Sequence, residues 1–320
     1  MKKILILIPA LVFIFSCKKK ELPIEKHDPG DVITSSVNLE SNYKWQIYFD
    51  LKTNTVVGQN LKSIWDLGFE CGTNGSHIVL NTSKFMFVYN THQTNFSAVT
   101  DTIGFAINKT WDLPNGDFDS TAIGNWQGNN EVYIIDRGFN EVGTHQGFRK
   151  IQFQSVDATS YTVRFSELNG NGDVTLQINK DDNFNFTFLS FSTSNTITVE
   201  PPKETWDLVF TQYTHIFHNP TEPYLVTGCL INRSNTSAVV DSSTAFTQIT
   251  YDKIPNYTLK TDLDAIGYNW KSYTGSGYVV KYHVNYLIRD RDDIYYKLHF
   301  IDYYSPGGLT GSPKWEYQKL

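Results

Sequence analysis

The chain has 320 residues, with 27 Lys and Arg against 33 Asp and Glu, and a formal net charge of −6. This balance makes nucleic-acid binding a poor candidate, because phosphate recognition depends on Lys and Arg. The length is sufficient for a large hydrophobic core in one domain or two.

The first 17 residues have the features of a lipoprotein signal peptide. Lys2 and Lys3 precede an apolar or neutral run over residues 4–15, followed by Ser16 and Cys17. Twelve residues span only about 18 Å as a helix, which is too short for a hydrocarbon core of about 30 Å. Ile14–Cys17 resembles a bacterial lipobox, which implies that Cys17 is lipidated and anchors the protein to the outer membrane without a transmembrane helix. A secretory signal with an incidental cysteine is the alternative, and the membrane face is left open.

Residues 18–40 are predicted to be a flexible tether. The segment is polar, contains Pro23, Pro29 and Gly30, and includes His27, which we therefore set aside as a ligand. Such a composition lifts a folded domain off a membrane surface.

The remainder of the chain indicates an all-β protein. Apolar and polar residues alternate over residues 161–165, 278–282 and 296–300, which places one side of a strand on a core. Residues 169–172 and 290–293 are rich in Asn, Gly and Asp and predict hairpin turns. We expect antiparallel sheets throughout.

Four markers recur in the same order along the chain and predict an internal duplication. Trp65–Phe69 recurs as Trp206–Phe210, an offset of 141 residues. The other three markers recur at offsets of about 135 to 144 residues, and the matched segments are 97–101 with 237–241, 119–126 with 262–270, and 161–165 with 296–300. The predicted copies are residues 41–185 and 186–320. They form either one merged β domain or, as we favour, two halves of about 140 residues packed together.

The repeated Trp-Asp-Leu-x-Phe motif has a structural interpretation. Its Trp, Leu and Phe occupy alternate positions and are predicted to share one face of a sheet. Asp66 and Asp207 then lie on the other side, where each can accept backbone N–H bonds at a turn. A catalytic role for either aspartate is the alternative.

The same motif, with the C-terminal segments Asp293–Ser305 and Pro313–Gln318, resembles the HmuY family of haem-binding bacterial lipoproteins. The resemblance is strongest over residues 186–320. It implies an exported, lipid-anchored, antiparallel β protein that captures haem. Members of that family differ in their axial ligands, using His or Met, so the resemblance assigns no ligand.

Haem iron requires one or two His or Met donors beside an apolar slot. His77 follows Trp65 by twelve residues and His218 follows Trp206 by twelve. If the repeats are related by a pseudo-twofold axis, these residues are the candidate axial pair. His92 and Met86 are the reserve ligands, and Tyr213, Phe217 and Tyr224 are candidate pocket walls.

Two other interpretations of the His and Cys residues stay open. His215 and His218 could chelate a metal only if a turn separated them, because a spacing of three in a strand directs two rings to opposite faces. Cys71 and Cys229 are either paired or free, and two cysteines imply no disulfide framework.

We therefore expect a binding protein and no enzyme, since the chain lacks Gly-x-Ser-x-Gly, His-Glu-x-x-His and phosphate-loop motifs. The expected function is non-covalent binding of haem or a related porphyrin and its delivery to a TonB-dependent outer-membrane receptor. The alternative is a module that binds a small apolar ligand, glycan, peptide or protein partner on the same scaffold.

Overall fold

The alternating segments form antiparallel β-sheets in the computed structural model, which describes residues 29–320. The described residues contain twenty strands: β1 Val32–Ser36, β2 Trp45–Asp50, β3 Thr55–Leu61, β4 Leu67–Glu70, β5 Ile78–Leu80, β6 Phe87–Asn90, β7 Val132–Asp136, β8 Phe148–Val156, β9 Ser160–Ser166, β10 Val174–Asn179, β11 Phe186–Ser190, β12 Asn195–Ile197, β13 Leu208–Phe217, β14 Glu222–Ile231, β15 Ser237–Asp241, β16 Lys271–Tyr273, β17 Tyr278–Val280, β18 Asn285–Arg289, β19 Tyr295–Tyr304 and β20 Thr310–Lys319.

Helices within residues 29–320 are short and lie in the connections. One α-helix, α1, covers Phe105–Asn108, and the 3-10 helices cover Thr82–Lys84, Phe96–Ala98, Phe118–Ser120, Lys203–Thr205, Phe246–Gln248 and Tyr251–Asn256. The predicted all-β class is confirmed.

The middle of the chain, β4 to β12, folds into one sandwich, which we call the middle lobe. Its two sheets have the strand orders β12-β11-β4-β5 and β10-β9-β8-β7-β6. Alternating residues such as Phe69, Ile151, Tyr161 and Leu189 fill the space between the sheets and are almost fully buried. Burial of such aromatic and aliphatic side chains is the main stabilising term of the lobe.

The two ends of the chain build a second sandwich, the terminal lobe. Its sheets have the strand orders β14-β13-β2-β3 and β1-β20-β19-β18-β15, with a β16-β17 hairpin beside them. Its core includes Phe49, Phe210, Phe300 and Trp315, and the Phe210 and Trp315 rings stack with centroids 4.5 Å apart. The prediction of two packed, duplicated halves is confirmed.

The lobes do not coincide with the sequence repeats, because the first hairpin of each repeat belongs to the sheet that contains strands of the other repeat. β2 pairs with β13, so that Phe49 lies opposite Leu208. β11 pairs with β4, so that Leu189 lies opposite Leu67. The predicted boundary at residues 185 and 186 therefore lies just before β11, inside the middle lobe.

The two repeated aspartates hold these borrowed hairpins. Asp66 Oδ2 accepts a bond from the Phe191 backbone N–H at 2.7 Å, and Asp207 Oδ2 accepts one from Leu51 N–H at 2.8 Å. The backbone N–H role inferred from the sequence is thus present in both copies. The predicted shared face of the motif is wrong for its tryptophans: Trp65 and Trp206 precede their strands and pack outside the lobe cores.

Other local predictions have clear outcomes. The turns at residues 169–172 and 290–293 connect β9 to β10 and β18 to β19. Cys71 and Cys229 are both buried and free. Part of the segment assigned to the tether is a strand, because Val32–Ser36 pairs with β20 along its whole length. His27, Cys17 and the signal segment lie outside the described residues.

The four-stranded sheets of the two lobes face each other across the centre of the molecule. Trp65 and Phe188 meet edge to face on one side, with centroids 4.7 Å apart. Trp206 and Tyr48 form the repeat-equivalent pair on the other side, at 5.0 Å. Polar bonds cross the interface, including Leu263 N–H to Asn115 O at 2.8 Å. The lobes are therefore in direct contact.

Candidate ligand-binding site

The hairpin that follows the motif tryptophan differs in length between the two repeats. Asn81 and Asn232 are equivalent, because each amide donates to the carbonyl of the preceding motif tryptophan, at 2.8 Å and 2.9 Å. Asn81 follows Trp65 by 16 residues, whereas Asn232 follows Trp206 by 26. The added length forms the outer part of the β13–β14 hairpin, whose strands are ten residues each.

This hairpin lies against the middle lobe at its base and is exposed at its end. Thr214 Oγ1 donates to Thr82 O of the middle lobe at 2.8 Å. Beyond that contact, the side chains of Phe217 and Tyr224 are 40% and 56% exposed, and their ring centroids are 5.8 Å apart. Exposed aromatic side chains in contact with each other indicate a binding surface more strongly than scattered ones do.

His215 and His218 border this aromatic surface. The His215 ring lies between Phe217, at 5.1 Å, and Tyr268, at 4.7 Å. Its Nδ1 atom is buried and has no hydrogen-bond partner. Burial lowers the pKa of His215, and the nearby His218 lowers it further. The neutral imidazole is the form that ligates a metal.

His218 follows the last residue of β13 and is exposed in the turn. Residues 215–217 still belong to β13, so no turn lies between His215 and His218, and a joint role of the two histidines stays a prediction. Phe217, His218 and Tyr224, all predicted site residues, lie together on this hairpin. His215 also lies on this hairpin, although its spacing from His218 argued against a shared metal site.

His77 immediately precedes β5 in the shorter β4–β5 hairpin, and its carbonyl accepts the Glu70 N–H bond at 3.0 Å. Its Nδ1 lies 2.6 Å from Glu70 Oε2, and its ring stacks on Phe118 with centroids 4.5 Å apart. Together with Trp126, these rings border a surface depression of the middle lobe. His77 and His218 are not at equivalent positions: His77 lies four residues before Asn81 and corresponds to Gly228, four residues before Asn232. The equal spacing from the two motif tryptophans therefore does not make the histidines structural counterparts.

The remaining predicted residues lie apart from this surface. His92 is exposed and has its Nδ1 3.2 Å from Glu131 Oε1. Met86 is only 2% exposed and packs in the middle-lobe core. Tyr213 is 1% exposed and packs with Trp206, so it is not a wall of an open pocket.

A cavity also lies between the lobes. It differs from the hairpin in the side chains that are available to ligate iron. The cavity lining includes Trp65, Phe188 and Trp206, but neither His nor Met. Within residues 29–320, no group of three or more His, Cys, Asp and Glu side chains is placed to hold a metal ion. In the same residues, no helix has the length and apolar character needed to cross a membrane.

Comparison with known proteins gives one family match. Residues 42–177 and 182–317 each match the model of the family described as HmuY protein. Apo PinO from Porphyromonas gingivitis is a structural neighbour at 9% identity and a TM-score of 0.35, over 91% of this chain and 97% of that one. The apo HmuY analog of Tannerella forsythia shows 11% identity and a TM-score of 0.25, over 92% and 99%. No curated protein matches the chain.

Proposed function

Because this chain belongs to the HmuY family, we propose that it binds haem or a related porphyrin non-covalently on the β13–β14 hairpin. The observation that supports this site is the hairpin extension, which places two exposed aromatic side chains beside two imidazoles. A porphyrin has a flat apolar face that suits Phe217 and Tyr224, and its iron takes imidazole nitrogen as an axial ligand.

The histidines of the hairpin are suitable ligands for haem iron. His218 is the proposed axial donor, since it is exposed and not tied to a carboxylate within residues 29–320. His215, with an unpartnered Nδ1, is either a second donor or a support for the porphyrin edge. His77 remains the predicted opposite ligand, and it would ligate iron through Nε2 while Nδ1 keeps its bond to Glu70.

A haemin titration followed at the Soret band tests the site. We expect wild-type protein to give a sharp, shifted band, and His218→Ala to weaken haemin affinity at least tenfold and move the band. His145→Ala is the matched control, because His145 lies in the middle lobe and pairs with Asp136 at 2.7 Å. Phe217→Ala should weaken binding without moving the band, since it removes contact area and no donor.

The outcomes separate the parts of the proposal. An unshifted band in wild type contradicts haem binding altogether and favours the non-haem alternative, a glycan, peptide or protein partner. A normal titration of His218→Ala moves the site away from the hairpin. If His77→Ala changes the spectrum as much as His218→Ala does, the two histidines act as an axial pair.

We further propose that the protein is lipidated at Cys17, is anchored to the outer membrane by that lipid, and passes haem to a TonB-dependent receptor. The proposal rests on the N-terminal sequence and on family membership. Replacing Cys17 with Ser should move the protein from the membrane fraction to the soluble fraction. Retention of Cys17→Ser in outer-membrane vesicles would contradict the anchor, and growth on haem unaffected by deletion of the protein would contradict delivery.

A further inference from the structure

The proposed haem surface carries no cationic side chain of its own. Residues 208–231, which form β13, β14 and the turn between them, contain neither Lys nor Arg. Glu222 lies opposite Phe217 in the pairing of the two strands and adds a negative charge at the outer end of the hairpin. Haem carries two propionate groups, which are ionised at neutral pH as other carboxyl groups are. A cationic partner for them therefore has to come from a neighbouring segment of the chain.

The segment that borders this surface is residues 264–281. The ring centroid of Tyr268 lies 4.7 Å from that of His215 and 6.1 Å from that of Phe217. Tyr278, in β17, lies on the side of Tyr224: burial raises the pKa of Tyr278, and neighbouring tyrosines that include Tyr224 raise it further. Both parts of the segment are thus close to the exposed aromatic side chains.

This segment contains two lysines, of which one is available to a ligand. Lys271 is only 5% exposed, and its ammonium donates to Thr227 O and lies 4.3 Å from the Trp270 ring centroid. Lys281 directly follows β17, and its backbone N–H donates to Trp270 O at 2.8 Å. The Lys281 ammonium donates to Oδ1 of the exposed Asn269 at 2.7 Å. Within residues 29–320, no carboxylate lies within ion-pair distance of Lys281, so its charge has only a neutral partner.

We propose that Lys281 pairs with a propionate of the bound porphyrin, so that the hairpin surface prefers anionic porphyrins to neutral ones. This inference rests on the proposed haem site. An ammonium group has three donor hydrogens, so Lys281 can keep its bond to Asn269, the residue after Tyr268, while it contacts a propionate. Glu222 disfavours a propionate at the outer end of the hairpin, and the porphyrin is therefore oriented with a propionate towards Lys281.

Soret titrations of the full protein with haemin and with haemin dimethyl ester test the proposal, because the ester has the same iron and ring but no propionate charge. We expect wild-type protein to bind haemin about two- to fivefold more tightly than the ester, as a partly exposed ion pair provides. Lys281→Gln should remove this preference by weakening haemin binding, without moving the haemin band, because it removes no iron ligand. A higher NaCl concentration should reduce the preference of the wild-type protein.

Lys253→Gln is the matched control. Lys253 is partly buried, as Lys281 is, and its ammonium also donates to a neutral oxygen, Gln248 O, at 2.7 Å. It lies in the 3-10 helix Tyr251–Asn256, which packs through Ile254 against Leu287 of β18. The two variants change the net charge equally, so a difference between them reports a local contact. Circular dichroism of each variant establishes that it is folded.

Unchanged haemin affinity in Lys281→Gln would overturn the proposal. An equal loss of affinity for haemin and its ester would also overturn it, because it would indicate lost packing, and so would the same loss in Lys253→Gln, because it would indicate a general charge effect. Each of these results leaves the shifted Soret band of the wild-type protein, and with it the haem site, in place. An unshifted band of wild-type protein with haemin would contradict the haem site itself and the propionate contact together.

Discussion

The two repeated aspartates should differ strongly in their contribution to stability, although they occupy equivalent positions. Each accepts one backbone N–H bond from the hairpin of the other repeat. Replacing either one with Asn keeps the shape of the side chain and one acceptor oxygen. The comparison of Asp66→Asn with Asp207→Asn therefore measures how the charged groups around each aspartate affect stability.

Those surroundings are unequal. Asp66 forms ion pairs with Lys84, whose side chain is fully buried, and with Arg137 Nε at 3.0 Å. Asp207 forms an ion pair with Arg291 at 3.3 Å, and Arg291 also pairs with Asp50 at 3.1 Å. Burial raises the pKa of Asp207 to about 7, so this carboxyl is partly neutral at pH 7.

The expected magnitudes follow from these contacts. Removing one partner of a buried ion pair costs about 3–5 kcal/mol, because the remaining charge is left buried. Asp66→Asn leaves Lys84 and Arg137 buried without their anionic partner, and we expect a loss of about 3–5 kcal/mol in the free energy of unfolding. Asp207→Asn leaves Arg291 with Asp50, and we expect a loss of about 1 kcal/mol or less.

The pH dependence provides a second measurement. The folded pKa of Asp207 lies above the unfolded value of about 3.9, so this group favours folding fully below pH 4 and loses that contribution as pH rises through 7. Asp207→Asn should therefore be less destabilising relative to wild type at pH 8 than at pH 5. Urea unfolding followed by tryptophan fluorescence measures both effects. Equal losses for the two variants at pH 7 would refute the reasoning.

Three further predictions concern buried groups and one turn. Burial lowers the pKa of Lys271 to about 7, so Lys271→Met should raise the free energy of unfolding by about 1–3 kcal/mol at pH 6, and the gain should vanish at pH 10 in urea titrations. Glu200→Gln should gain stability relative to wild type between pH 5 and pH 8, because ionisation of the buried Glu200 disfavours the fold above pH 7; a constant difference across that range would contradict it. Gly138→Ala should destabilise by more than about 3 kcal/mol, since a Cβ there would lie 2.0 Å from Lys84 O at a φ of +62°. Gly143→Ala, at a φ of +79° with open space around it, should cost only about 1 kcal/mol, and similar thermal shifts for both would contradict the steric argument.

Period-two alternation and repeated motifs were sufficient to predict the sheets and the duplication, because both are local properties of the chain. The exchange of hairpins could not be predicted in this way. Residues 45–61 have the same pattern whether they pair with β4 or with β13, and the choice depends on tertiary contacts such as Leu51 N–H to Asp207. Trp65 and Trp206 were placed on the wrong face because the strands begin two residues later than the motif.

The predicted pair of haem ligands depended on an equal sequence spacing in two hairpins that differ in length. His77 and His218 each follow a motif tryptophan by twelve residues, yet His77 precedes the second strand of its hairpin and His218 follows the first strand of its own. Sequence distance does not register that β13 and β14 are much longer than β4 and β5. The unequal separation of Trp65 from Asn81 and of Trp206 from Asn232 was the available signal for the extension, and it required recognising the two asparagines as equivalent.

The exchanged hairpins also determine how the two lobes are joined. Between residues 29 and 320, the chain passes between the lobes near residues 62–66 and 198–207, and each of these segments contains a motif tryptophan that lines the cavity. Side-chain bonds on both sides, including Thr214 to Thr82 and Asn185 to Asn232 at 3.2 Å, fix the separation of the sheets. A hinge that widened the cavity would have to break these contacts together with the Trp65 Nε1 bond to Gln46 Oε1 at 2.9 Å. The separation of the two lobes is therefore fixed, whereas Phe217 and Tyr224 at the end of the β13–β14 hairpin are exposed.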